Sequence, residues 1–264
     1  MSKPIGVFDS GVGGLTVTKE IMRQLPNESI YFFGDVKNCP YGDKTKEEII
    51  QHTDTAVNFL VSRGVKLVVI ACNTATAAAL ETLREKYSVP IIGVIKPGAI
   101  TALQTTNSGK VLVLGTNFTA KSKAYSNEIH KINRNITVYN KACQTFVPYV
   151  ENKNYDDPIE TTELIHNELK ECKNLEFDTI ILGCTHYPLL QKYIDAYFDN
   201  QKMVISSGRE TAREVSSILT FLDLHNTTGD KEYSFFITNK NNKFIETAEK
   251  WLNMEVHAEI VNTI

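Results

Sequence analysis

The chain has 264 residues, of which 42% are hydrophobic and 22% charged. That balance excludes a disordered chain and supplies core material for one large or two small domains. With 28 Lys and Arg against 31 Asp and Glu, the formal net charge of -3 offers no basic footprint for nucleic acid. No apolar run reaches the roughly 18 residues a membrane span needs. The N-terminus runs straight into a strand-like segment without an apolar leader, so a cytoplasmic protein with no membrane partner is expected.

In chain order, residues 5–8 predict a strand, followed by a glycine-rich turn at 11–14 and a helix to about residue 25. Residues 29–33 predict the next strand. Apolar residues at helical spacing predict a helix over 45–63, closed by Gly64. Residues 66–71 form an almost unbroken apolar run, as in a strand buried on both faces of a parallel sheet. Strands are then predicted at 90–94, 111–115 and 137–139, with helices at 97–106, 118–132, 147–151 and 158–172. Residues 177–183 predict a second long buried strand, and Pro188 opens the helix after it. Further strands are predicted at 203–205 and 234–238, with helices at 211–222 and 241–252. This alternation predicts an α/β fold with mostly parallel sheets.

Cys39, Cys72, Cys143, Cys172 and Cys184 are odd in number, widely spaced and without a C-x-x-C pair. A disulfide framework and a structural zinc site are therefore not expected. Cys39, Cys143 and Cys172 read as buried apolar filler. Cys72 and Cys184 differ, because residues 66–74 (KLVVIACNT) resemble residues 178–186 (DTIILGCTH). In each, a buried strand ends in cysteine and a helix is expected to follow. The pair lies 112 residues apart, which predicts two similar domains. Each would present one cysteine at the carboxyl end of a strand, where open α/β sheets bind ligands.

A thiol at a helix N-terminus is biased toward thiolate. Two matched thiols meet one chemical demand well. Inverting a carbon centre requires an acid and a base on opposite faces, with roles that exchange in the reverse direction. Asp9, at the end of the first strand, can accept a thiol proton or hold a substrate ammonium. His186 can tune Cys184 or relay its proton. Asn73, Thr74 and Thr185, just after the cysteines, can cradle a carboxylate. The glycine turn fails G-x-G-x-x-G because Thr16 stands where glycine is required, so a nucleotide site has little support. A metal held by Cys72, Cys184 and His186 would leave the duplicated junctions unexplained, and none is expected.

Several segments together resemble glutamate racemases, within the cofactor-independent aspartate/glutamate racemase superfamily. They are GVFDSGVGGLT (6–16), PYG (40–42), ACNTATA (71–77), LGT with Thr119 beyond it (114–119), LGCTHYPLL (182–190) and ETAREV (210–215). The likeness runs over nearly the whole chain. It implies interconversion of L- and D-glutamate without a cofactor, for peptidoglycan synthesis and hence cell-wall biogenesis and cell shape. It also implies a homodimer. Cys72 and Cys184 would be the two acid/bases, supported by Asp9 and His186 respectively. Asp9, Ser10, Tyr41, Gly42, Asn73, Thr74, Thr185 and His186 would contact substrate. Thr116 and Thr119 would reach its carboxylates, and Glu151 would line the side of the second cysteine. None of the cleft motifs contains Arg or Lys, so N–H groups and hydroxyls would bind the anion.

The implied fold is two Rossmann-like, pseudo-symmetric domains with the active site in the cleft between them. Residues 1–96 plus 207–264 would carry Cys72, and residues 97–206 would carry Cys184. Many relatives have glutamate at the position of Lys96 and aspartate at that of Ser206. These departures bear on hinge and interface details rather than on the chemistry. Two alternatives stand beside this reading. One is an aspartate racemase or a one-cysteine decarboxylase, disfavoured by His186-Tyr187-Pro188 and by the paired cysteines. The other is a non-catalytic binding module, which would bind amino acids without deuterium uptake.

Overall fold

The computed structural model describes residues 3–152 and 154–262. The chain forms two compact units, Met1–Val94 with Gly208–Ile264, and Ile95–Ser207. The first opens with β1 (Ile5–Asp9), α1 (Leu15–Gln24), β2 (Ile30–Gly34), α2 (Lys46–Ser62), β3 (Leu67–Ile70), α3 (Asn73–Lys86) and β4 (Ile91–Gly93). The second holds α4 (Ile95–Thr105), β5 (Lys110–Gly115), α5 (Asn117–Ser122), α6 (Ala124–Ile132), β6 (Thr137–Ala142), α7 (Phe146–Glu151), α8 (Pro158–Leu169), β7 (Thr179–Gly183), α9 (Gln191–Tyr197) and β8 (Met203–Ser206). The chain then returns through α10 (Ser207–Phe221), β9 (Tyr233–Ile237), α11 (Asn242–Leu252) and β10 (Ala258–Ile260). The expected domain limits fell after residues 96 and 206. The observed partition moves Ile95 and Lys96 to the second unit, where α4 starts at Ile95, and moves Ser207 there as well.

Both sheets are parallel throughout. The first has strand order β10-β9-β2-β1-β3-β4 and the second β6-β5-β7-β8. The last four strands of the first sheet and all four of the second share one pattern. A founding strand is flanked by its successor on one side and by the third strand on the other. That reversal creates a switch point between β1 and β3 in one unit and between β5 and β7 in the other. At such points the helices diverge and leave a crevice above the carboxyl ends.

β1, β3 and β7 are buried at every residue, which accounts for their mostly apolar sequences, broken only by Asp9 at the end of β1 and Thr179 at the start of β7. α2 begins with a capping box, in which Thr45 and Glu48 satisfy each other's backbone N–H groups. In the returning segment, Asn226 donates its N–H to Glu28 (2.8 Å). Glu28 forms a buried ion pair with Lys66, whose Nζ also reaches the Leu224 carbonyl. Charges so buried are tolerated only when paired and hydrogen-bonded, so this cluster ties the last third of the first unit to its sheet.

Local expectations differ from the structure in identifiable places. The helix predicted over 118–132 is two helices, because Lys123 adopts a left-handed conformation (φ 54°) between them. The strand predicted at 137–139 extends through Ala142, held by six register pairs to β5. The helix predicted to residue 172 ends at Leu169 and tightens into a 3₁₀ turn. The short edge strand β10 was not anticipated. Among the described residues no helix is long and apolar enough to cross a membrane.

Asp178 closes the amino-terminal end of the second sheet. Its carboxylate accepts from Thr106 Oγ1 (2.6 Å), Asn107 N (2.7 Å), Ser108 N (2.6 Å) and Thr179 Oγ1 (2.9 Å). Burial alone would raise its pKa, but these donors outweigh burial and lower it to about 2. A pKa depressed on folding contributes stability above the unfolded value, lost as pH falls through the folded one. Asp178→Asn should therefore cost about 2 kcal/mol at pH 7. Most of that difference should vanish when thermal melts are repeated near pH 2; an unchanged gap would refute the assignment.

Candidate active site

In the first unit, Cys72 follows β3 and is the N-cap of α3. Its Sγ accepts from the Ala75 N–H (3.4 Å). The 14-residue α3 presents its positive end there, which favours thiolate over thiol. Ser10 Oγ lies 3.5 Å from the same sulfur. Asp9 is fully buried and accepts from the Gly11 N–H (3.0 Å). Asn73 and Thr74 form the first turn of α3 and are buried, as are Tyr41 and Gly42.

Tyr41 does not offer its hydroxyl proton as expected. That proton goes to Asp35 Oδ2 (2.6 Å). Asp35, which the sequence reading passed over, is itself buried and also accepts from Asn38 and Thr238. Burial, then the negative charge and hydrogen bond of Asp35, hold the Tyr41 phenol well above its ordinary pKa. Tyr41 is thus a neutral, anchored ring, and its loop can present backbone groups to an anion. One sequence sign was available: Asp35 follows β2 just as Asp9 ends β1.

In the second unit, Cys184 follows β7 and its Sγ lies 3.8 Å from His186 Nδ1. The other ring nitrogen, Nε2, is 2.7 Å from Glu151 Oε1 at the end of α7. Thr185 Oγ1 is 3.5 Å from Nδ1. Burial opposes charge on the imidazole, but the hydrogen bonds and negative charges of Cys184 and Glu151 outweigh it. His186 therefore titrates well above its ordinary value. Thr116, the N-cap of α5, donates to Thr119 Oγ1 (3.1 Å) and accepts from its N–H. No α-helix starts directly after Cys184. A 3₁₀ turn (Tyr187–Leu190) intervenes and α9 begins only at Gln191. The helix-terminus support expected for both cysteines is therefore present at Cys72 alone, while an imidazole stands beside Cys184.

The register shows that the two units present their cysteines in the same way. Phe8 pairs with Ile70 and Leu114 with Leu182, and two residues beyond these pairs lie Ser10 with Cys72 and Thr116 with Cys184. Each cysteine thus has a hydroxyl residue at the equivalent strand position. Asp9 corresponds to Gly115, where an added Cβ would press on Thr119 at 3.1 Å. The second unit takes its ionisable partners from His186 and Glu151 instead. All five cysteines are free. Burial pushes the Cys143 and Cys172 thiols up, as inert filler requires. Among the described residues no group of three or more His, Cys, Asp or Glu could hold a metal ion.

Two parallel α/β sheets with thiol, hydroxyl, carboxylate and imidazole groups at their switch points define the class, an α/β enzyme. A family model described as Asp/Glu/Hydantoin racemase matches residues 5–215. The glutamate racemase of Staphylococcus haemolyticus is 53% identical over 263 residues, 99% of each chain. Among solved structures, the RacE1 isoform of glutamate racemase from Bacillus anthracis matches with a TM-score of 0.95 at 41% identity, over 98% of this chain and 97% of that one. Glutamate racemase from Francisella tularensis, solved in complex with D-glutamate, matches with a TM-score of 0.92 at 37% identity, over 98% and 97%. The chain belongs to the Asp/Glu/Hydantoin racemase family and is an amino-acid racemase, an isomerase.

Proposed function

We propose that this racemase interconverts L- and D-glutamate, using Cys72 and Cys184 as its two acid/bases, and supplies D-glutamate for peptidoglycan synthesis in the cytoplasm. Glutamate is the proposed small-molecule substrate, and a second copy of the chain the proposed partner. In one direction a cysteine thiolate takes the α-proton. The electron pair of the broken C–H bond passes into the α-carboxylate, and the other cysteine's thiol protonates the opposite face. The first cysteine ends as thiol and the second as thiolate, ready for the reverse reaction.

The difficult step is ionising a weakly acidic C–H beside an ammonium and a carboxylate. Donors aimed at the developing carboxylate charge lower that barrier. Ser10, Asn73, Thr74, Thr116, Thr119, Thr185 and the Tyr41–Gly42 backbone are the candidates. Asp9 would support Cys72. His186, backed by Glu151, would support Cys184 and hold charge opposite its thiolate. The observation that carries this reading is the shared register, by which each unit's third strand ends in a cysteine beside an equivalent hydroxyl position.

Incubation of each enantiomer in heavy water tests it. The inverted product should carry deuterium at Cα whichever enantiomer is the starting material. Binding without uptake, or inversion with retention of the original hydrogen, would overturn the reading.

A further inference from the structure

We propose that Tyr187 is a positioning residue, which clamps the start of α7 so that Glu151, at its end, stays on His186. The inference rests on the reading of Cys184 and His186 given above, and it assigns a task to the tyrosine of the His186-Tyr187-Pro188 motif.

Tyr187 is adjacent to His186 and, like it, lies within reach of the Cys184 charge, but its hydroxyl bonds elsewhere. The ring is fully buried. Its hydroxyl donates to the Cys143 carbonyl (2.7 Å). That carbonyl also accepts the Phe146 N–H (3.2 Å), closing the turn into α7. The Tyr187 ring meets the Phe146 ring edge-on, with centroids 5.1 Å apart and planes at 78°. Two contacts of different chemistry therefore join the residue after His186 to the first residue of α7 and the turn before it.

The far end of α7 bears Glu151, whose side chain keeps 30% of its surface exposed while the His186 side chain keeps 3%. A carboxylate with that much exposure is held less by packing than the enclosed imidazole it meets. Its place opposite His186 Nε2 depends on where the six-residue α7 (Phe146–Glu151) is held. The Tyr187 hydroxyl and ring hold one end of that helix, and the 2.7 Å contact of Glu151 with His186 closes a loop at the other. The same backbone turn that sets the imidazole beside Cys184 thereby sets the partner of the imidazole.

The test uses Tyr187→Phe in the full chain, with Glu151→Gln and the double variant. The His186 ring is titrated by NMR, and kcat and KM are measured in both directions across pH. Tyr187→Phe should lower the His186 titration midpoint toward the ordinary histidine value. It should reduce kcat about tenfold, as misplaced supporting groups do, with KM changed less. The double variant should be no worse than Glu151→Gln alone. An unmoved His186 midpoint, or losses that multiply in the double variant, would overturn the proposal and leave Tyr187 as core packing. Should Tyr187→Phe fail to fold, Phe146→Leu removes the ring contact at the other end of the clamp and should shift the same midpoint. The titration does not depend on turnover. If the midpoint moves but kcat does not, the acid/base reading of Cys184 and His186 fails while the clamp stands.

Discussion

Cys72→Ser and Cys184→Ser should each reduce racemisation of both enantiomers by roughly three powers of ten, within the range general acid–base groups contribute, and should leave the fold intact. The substitution is well matched at Cys72. Its Sγ caps α3 by accepting from the Ala75 N–H, and serine is among the better N-caps. The helix should therefore form as before, and circular dichroism and the melting temperature should hardly change. The proton affinity changes instead. A thiol titrates near 8.5 in the free amino acid, within reach of a helix terminus or an imidazole, whereas an alkyl hydroxyl stays protonated throughout the physiological range. Both directions fail together because the acid of one direction is the base of the other.

Neither of the other two buried cysteines can stand in. Cys143 and Cys172 are buried with their thiols pushed up. Their replacement by alanine should leave the kinetic constants near those of the parent chain. If either Cys72→Ser or Cys184→Ser kept near-normal rates in both directions, the two-thiol mechanism would be wrong.

The features most legible in the sequence were those where burial writes itself into composition. β3 and β7 have no solvated face, so Leu67–Ile70 and Thr179–Gly183 read as continuous apolar runs. Their repeated context marked Cys72 and Cys184. Features that depend on single backbone torsions or on partners distant in sequence were not legible. Lys123 adopts a positive φ with no glycine or asparagine to announce it. β10 is three residues long and largely exposed, so it carries no apolar signature. Asp35 receives Thr238 from 203 positions away, and no local pattern reveals that contact. The turn after Cys184 misled for a related reason: Pro188 signals a helix start, but it sits in a 3₁₀ turn that delays α9.

Gly14→Ala should cripple the enzyme without replacing any proposed catalytic group, by about two powers of ten, the scale on which small displacements act. The glycine turn invites a phosphate-binding interpretation, which Thr16 weakens, and the structure supplies a different reason for the last glycine. Gly14 has an ordinary right-handed helical conformation (φ -59°, ψ -17°), so its backbone does not require glycine.

Space decides against alanine. A Cβ at position 14 would lie 2.3 Å from Asp9 Cβ, 2.8 Å from Asp9 Cγ and 3.2 Å from Phe32 Cε2. Asp9 Cβ is fixed to β1, and Phe32 is buried on β2. Neither can swing aside as a long flexible side chain would. The added methyl must therefore shift β1 against α1 or turn the Asp9 carboxylate away from Gly11 and from the neighbourhood of Cys72. Overpacking of this kind costs about 1–3 kcal/mol, and the melting temperature should fall. The discriminating comparison is with Asp9→Gly, which removes both the Cβ and the Cγ that the new methyl would meet. If Gly14 acts through Asp9, then Asp9→Gly and the Asp9→Gly, Gly14→Ala pair should be equally inactive, and the pair should regain part of the stability lost by Gly14→Ala alone. A Gly14→Ala enzyme with the parent kcat/KM would show that the position of Asp9 does not matter to catalysis, and would remove Asp9 from its proposed role beside Cys72.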